Sequence, residues 1–251
     1  MNDTDYKDVF KQIPGNPVVR EFCVDEGGLA NVLADALKAH AAPPPTRSPK
    51  SSNALQGNLS EFGVWDMGER YWSLFARQMT WTANADSPWK ASSSDGVDIL
   101  ALSRRDDELF LLVVEVKSSD GRGANLVTGG NSSLQKDFDR LFQGPVQDRL
   151  PISVGKVLTS LRLVHRRTNL EERVKGMVGI SPAHCSSVRL VGVLVCNQGT
   201  ARDEQARERA FNRLTDHLVN AGWGASQISY RTIETDDLAA LLDDVIDKAT
   251  S

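Results

Sequence analysis

The apolar positions of the chain follow two periods. Leu29, Val32, Leu33 and Leu37 recur at helical spacing and predict a helix over 27–40, which Pro43-Pro44-Pro45 and a serine-rich stretch to Asn53 bring to an end. A second helix is expected over 59–79, weakened by Gly63 and Gly68. A polar, Trp-containing segment, 83–94, follows it. Val97–Ser103 and Leu109–Lys117 are β-rich runs on either side of Arg104-Arg105-Asp106-Asp107, the pattern of a hairpin whose strands lie inside a sheet. A Gly/Ser-rich loop over 118–133 leads to helices over 134–142 and 156–164 and to a buried strand over 188–196. A charged amphipathic helix spans 201–221 with Gly222 as its stop, followed by a short strand, 228–232, and a last helix, 238–249. Strands alternating with helices predict an α/β fold with a mixed central sheet flanked by helices. The Pro/Ser stretch separates an N-terminal helical segment and linker, 1–56, from an α/β domain with a C-terminal α/β extension, 57–251. No internal repeat occurs.

Composition narrows the class. With 251 residues, 40% hydrophobic and 25% charged, the chain has material for a sizeable core, which excludes collagen-like, coiled-coil and wholly disordered readings. Its longest apolar run, Leu109–Val114, falls far short of the roughly 20 residues a membrane-spanning helix needs. Met1-Asn2-Asp3-Thr4-Asp5 carries neither the basic start nor the apolar stretch of a secretory signal. Cys23, Cys185 and Cys196 are odd in number and lack C-x-x-C spacing, so neither a disulfide framework nor a zinc site follows. These features set the expectation of a reduced, soluble, cytoplasmic protein. A net charge of −4 means that any nucleic-acid contact must come from a local patch.

The hairpin carries the chemistry. Glu115 and Lys117 are two residues apart and share a strand face. Asp98 joins that face if the hairpin loop has an even number of residues. A two-residue loop, Arg105-Asp106, sets it opposite Val113; a four-residue loop, Arg105–Glu108, sets it opposite Glu115; an odd loop sends it to the other face. Charges at the end of so apolar a strand must pair or bind a metal. Neighbouring carboxylates suit Mg²⁺ or Mn²⁺, and a lysine beside them can orient water or stabilise charge on a phosphate.

Gly96-Val97-Asp98 followed by Glu115-Val116-Lys117 resembles the motif of the PD-(D/E)xK nucleases, with Val97 in place of the usual proline. Gly57-Asn58-Leu59-Ser60-Glu61-Phe62 resembles the acidic helix start that such nucleases often place before the hairpin, which makes Glu61 the candidate helix acid and Glu69 its rival. Gln135 and Lys136 fall where the family often carries a supporting Gln or Lys. The resemblance covers about 57–142 and implies a restriction-endonuclease-like core and Mg²⁺-dependent DNA hydrolysis. Asp98, Glu115 and Glu61 would hold the metal, and Lys117 would position water or transition-state charge. More narrowly, the segment resembles the HamA-like nucleases of Hachiman-type bacterial anti-phage systems, which work beside a helicase; that implies a restrained nuclease with DNA and a helicase as partners. A non-catalytic DNA- or protein-binding adaptor on the same fold is the rival reading.

Other features are weaker. Lys156, Arg162, Arg166, Arg167, Arg173 and Lys175, with His165 among them, form a basic segment that is either a phosphate grip or a solvated surface. Gly121–Gly130 lacks the G-K-[ST] ending of a P-loop and reads as a mobile loop beside the site. Trp65, Tyr71, Trp72, Trp81 and Trp89 read mainly as core or interface, with exposed members able to stack on bases. Asp236, Asp237, Asp243, Asp244 and Asp247 read as a solvated helix face.

Overall fold

A computed structural model describes residues 6–13, 18–40, 53–72, 74–77, 89, 97–121, 123–142, 149–163, 166, 168–178 and 182–251. Pro43-Pro44-Pro45, most of the 83–94 stretch, Trp81, Gly96, His165 and Arg167 lie outside them. The elements run α1 (Tyr6–Val9), β1 (Phe10–Ile13), β2 (Val18–Cys23), α2 (Glu26–His40), α3 (Asn53–Tyr71), β3 (Leu74–Arg77), β4 (Ile99–Arg105), β5 (Glu108–Ser119), α4 (Ala124–Val127), α5 (Leu134–Phe142), α6 (Arg149–Leu163), α7 (Glu171–Val178), β6 (Val188–Asn197), α8 (Ala201–Asn220), β7 (Ile228–Thr235) and α9 (Leu238–Thr250).

The strands form one seven-stranded mixed sheet in the order β1-β2-β7-β6-β5-β4-β3. Four central strands, β2, β7, β6 and β5, are parallel, and antiparallel strands flank them on both sides. Alternation along each strand builds two cores. Val114, Val116, Val191, Val193 and Val195 face a layer of α1, α2, α3 and α9. Leu111, Val113, Leu190, Leu194 and Cys196 face α4, α5, α6, α7 and α8. Covered on both faces, β5 and β6 can be nearly all aliphatic, which is why they read so clearly in the sequence.

The α/β class and mixed sheet match expectation; several elements do not. The helix expected over 59–79 instead runs from Asn53 to Tyr71, and the chain returns as β3 along β4. Gly68 permits that return: a Cβ there would lie 2.6 Å from Leu74 Cδ1. Helix α6 begins before the expected position, at Arg149, with Pro151 in the first turn, where its missing N–H costs nothing. The N-terminal segment, expected to be helical, also contributes β1 and β2 to the sheet. Buried charge ties β2 down: Arg20 reaches Glu234 Oε2 at 3.1 Å, Glu234 also pairs with Arg207 of α8, and Arg231 reaches Glu21 Oε1 at 2.6 Å. Each buried acid therefore has a guanidinium beside it. No helix of the described residues is long and apolar enough to cross a membrane.

Candidate active site

The hairpin turn is Asp106-Asp107, with φ of 47° and 68°, the left-handed pair of a type I′ turn that Asp tolerates. The last strand pair is Arg105↔Glu108, and the ladder runs to Ile99↔Val114. One step further, Asp98 stands opposite Glu115. This is the register set out above for a loop bounded by Arg104 and Leu109, reached here with a tighter turn. The Val116 N–H donates to Asp98 Oδ2 at 2.7 Å, fixing the carboxyl beside the end of β5. Because β4 starts at Ile99 while β5 runs on to Ser119, the last residues of β5 have no strand partner on that edge among the described residues, and side chains from the helices reach them there.

Two helices use it. On α5, Asp137 forms an ion pair with Lys117 Nζ, and Arg140 braces its other oxygen at 3.3 Å. Ser133 starts this helix: its hydroxyl accepts from the Lys136 N–H at 3.4 Å and its carbonyl from the Asp137 N–H at 3.1 Å. The neighbouring strand lets α5 pack close. Glu115 lies beside Gly192 of β6, where a Cβ would press on Leu134 of α5 at 3.2 Å and on Tyr230 at 3.0 Å. From the other layer, α3 brings Glu61, whose carboxyl acts electrostatically on Asp98, Lys117 and Asp137.

Four sequence-derived candidates, Glu61, Asp98, Glu115 and Lys117, are thus gathered at one end of β5. Glu69 lies two helical turns beyond Glu61 and is half-buried. On α5 it is Asp137 that pairs with Lys117, while Gln135 is half-buried and Lys136 is exposed. Sequence reasoning passed over Asp137, although a signal was present: Leu134, Asp137, Phe138 and Leu141 make one i, i+3, i+4, i+7 stripe in which a single position is acidic.

The electrostatics are those of a crowded carboxylate site. Glu115 is 2% exposed, and its Oε1 makes no hydrogen bond; Glu61 Oε2 is likewise enclosed without a partner. Burial first, and then the neighbouring Asp98 and Asp137, push the Glu115 carboxyl well above the usual carboxylate range. Burial and Asp98 do the same to Glu61, only partly offset by Lys117. Asp98 is raised by burial, against the pull of Lys117 and the Val116 N–H. Burial alone would lower the Lys117 ammonium, but Asp98 and Asp137 outweigh it, so the lysine stays charged. Asp98 and Glu115 also share a hydrogen bond, in which protonated Glu115 is the donor.

Among the described residues no three His, Cys, Asp or Glu side chains close on one point as a ready-made ligand cage. Mg²⁺ does not need one, since it takes one or two carboxylates and fills its octahedron with water and phosphate oxygens. Two enclosed, unpartnered carboxylate oxygens beside a third carboxyl fit that hard-oxygen donor set.

The remaining motifs are placed as follows. The Gly121–Gly130 loop is tethered rather than free: Val127 is fully buried, Asn197 Nδ2 donates to the Asp120 carbonyl at 2.8 Å, and Arg213 reaches Thr128 at 3.3 Å. Gly123, at φ +72°, would carry a Cβ 2.9 Å from Leu194, so the loop's entry needs glycine on both counts. The basic segment is partly neutralised, with Arg162 donating to Glu171 at 2.7 Å and Lys175 to Glu172 at 2.6 Å. Trp65 is core; Tyr71 and Trp72 are half-buried. Asp237 caps α9, and Asp244 pairs with Lys248.

No protein-family model matches the chain, and no curated protein matches it.

Proposed function

We propose that this protein is a Mg²⁺- or Mn²⁺-dependent DNA nuclease with a restriction-endonuclease-like core. The observation that carries the reading is the pair of enclosed, unpartnered carboxylate oxygens on Glu115 and Glu61, beside Asp98 and next to a lysine held charged. Carboxylates left unpaired in a protein interior cost stability, and a divalent cation is the partner that removes that cost. Asp98 and Glu115, with Glu61 behind them, would hold the ion, which when bound polarises a phosphate and acidifies water.

The chain's own side chains set the rest. The Val116 N–H holds one oxygen of Asp98 and so orients its carboxyl beside Glu115. Lys117 is the cation of the cluster, and it is placed to hold a water or to offset charge growing on a phosphate. Asp137 limits the directions in which its ammonium can point. The HamA-like pattern of 57–142 extends the proposal to an anti-phage effector restrained by a helicase partner. A net charge of −4 supports restraint, because it disfavours non-specific grip on duplex DNA.

The test is plasmid cleavage by the purified chain, alone and with whatever co-purifies from its native operon, in Mg²⁺ and in EDTA. Metal-dependent nicking that the partner modulates supports the proposal. Absence of cleavage in both preparations favours a non-catalytic adaptor.

A further inference from the structure

A second feature of the sheet lies away from the acidic cluster. On the face that carries α3, but toward the start of β5, a groove of about 510 Å³ is lined by Arg189 and Arg231 together with Tyr71, Trp72 and Phe110. Phe110 points to the face opposite Glu115 and lies five residues from it along β5, roughly 17 Å at about 3.4 Å per residue. The groove is therefore not an extension of the candidate active site.

Its construction is that of a strand-binding surface. Arg231 lies over the Trp72 ring at 4.6 Å and Arg189 over Phe110 at 4.7 Å. Stacking of this kind holds each guanidinium plane in place before any ligand arrives. Arg189 donates to backbone carbonyls of Ser186 and Val188, and among the described residues no acid pairs with it. Glu21, paired with Arg231, is 1% exposed and turned away from solvent. Positive charge flanked by flat aromatic and guanidinium surfaces complements a chain of phosphates carrying unstacked bases, and a paired duplex would hide those bases.

We propose that this groove binds a single strand of DNA, a second nucleic-acid site separate from the acidic cluster. The choice of DNA over RNA rests on the nuclease reading; the strand-binding chemistry does not.

Fluorescence anisotropy with a labelled single-stranded oligonucleotide tests it, using the intact chain in EDTA so that metal-dependent cleavage is off. Single strands are expected to bind more tightly than duplex, single-stranded RNA or a polyglutamate peptide. Arg189→Ala with Arg231→Ala is expected to raise Kd at least about tenfold and to reduce the salt slope by about 1.4, two phosphate contacts at roughly 0.7 each. Arg189→Glu alone leaves the Arg231–Glu21 pair in place, so it keeps the test decisive if loss of Arg231 disturbs folding; it is expected to weaken binding several-fold. No binding of single strands, equal or tighter binding of any of the three competitors, or an Arg189→Glu protein that binds like wild type would overturn the proposal. Loss of oligonucleotide binding with plasmid cleavage intact rejects the groove alone. Oligonucleotide binding without any metal-dependent cleavage rejects the nuclease reading alone.

Discussion

Replacing Glu115 with glutamine keeps the shape of a buried side chain and removes its charge, so it separates stability from function at the centre of the site. In the folded protein the Glu115 carboxyl is raised well above the usual range by burial, by Asp98 and by Asp137. In the unfolded chain it titrates near its ordinary value of about 4.3. Between those two values the folded state binds more protons, so the metal-free protein loses stability as pH rises through that window and levels off above it. At neutral pH the wild type therefore carries the cost of an ionised or reluctantly protonated acid whose Oε1 has no hydrogen-bond partner. The amide of Glu115→Gln can donate to Asp98 as protonated Glu115 does, without the charge. A buried unsatisfied group costs about 1–3 kcal/mol and more when charged; the amide keeps an unpartnered polar atom but sheds the charge, so Glu115→Gln is expected to stabilise the metal-free protein near pH 8 by about 1 kcal/mol or more. For a chain of this length each kcal/mol raises Tm by roughly 2–4 °C. Thermal melts from about pH 5 to about pH 9, with EDTA and with excess Mg²⁺, measure it directly. The wild type is also expected to gain from Mg²⁺, by about 2.7 kcal/mol at a hundredfold excess over Kd, and Glu115→Gln to gain little. A variant less stable than wild type at high pH in EDTA, together with a wild type indifferent to Mg²⁺, would refute the reasoning.

Lys117→Met is expected to lower the cleavage rate by about 10²–10³, as measured by initial rates at saturating Mg²⁺, and to lower Tm in EDTA because Asp137, Asp98 and Glu61 lose the ammonium that offsets them. Asp137→Asn frees the Lys117 ammonium from its ion pair; a loss of roughly tenfold is expected, with a shifted pH–rate profile that a purely structural role would not produce. Glu61→Gln is expected to cost more activity than Glu69→Gln, since Glu61 is the helix acid that acts on Asp98 and Lys117; the reverse ranking in paired rate assays would move the assignment. Gly123→Ala should lower Tm, because the left-handed φ and the 2.9 Å approach to Leu194 both oppose a Cβ; an unchanged melt would show that the loop entry can shift freely.

What was legible in the chain follows from local signal. The aliphatic β5 and β6 and the strongly amphipathic α5 announce themselves, and the even spacing of Glu115 and Lys117 puts them on one face whatever surrounds them. Asp98 depended on a turn that only geometry settles, because Asp106-Asp107 gives no Gly to mark the left-handed pair. Strand β2 stayed hidden for a different reason. Arg20 and Glu21 look like surface charges, yet their partners Glu234 and Arg231 lie more than two hundred residues away, so nothing nearby marks them as buried. The return of the chain after Tyr71 was missed because Gly68 reads as a weak helix position, whereas its role is to let Leu74 pack against the helix. Asp137 was overlooked although it occupies a core position of its helix, where an acid needs a partner that only the fold supplies.

The most direct measurement is the rate of phosphodiester cleavage in a fluorescently end-labelled DNA by the pure protein, wild type against Glu115→Gln, each with Mg²⁺ and with EDTA. Metal-dependent cleavage by the wild type and a rate lower by at least about 10²-fold in a folded Glu115→Gln protein are the expected results. Equal rates for the two proteins, or cleavage that persists in EDTA, would contradict a metal-dependent site built on Asp98 and Glu115.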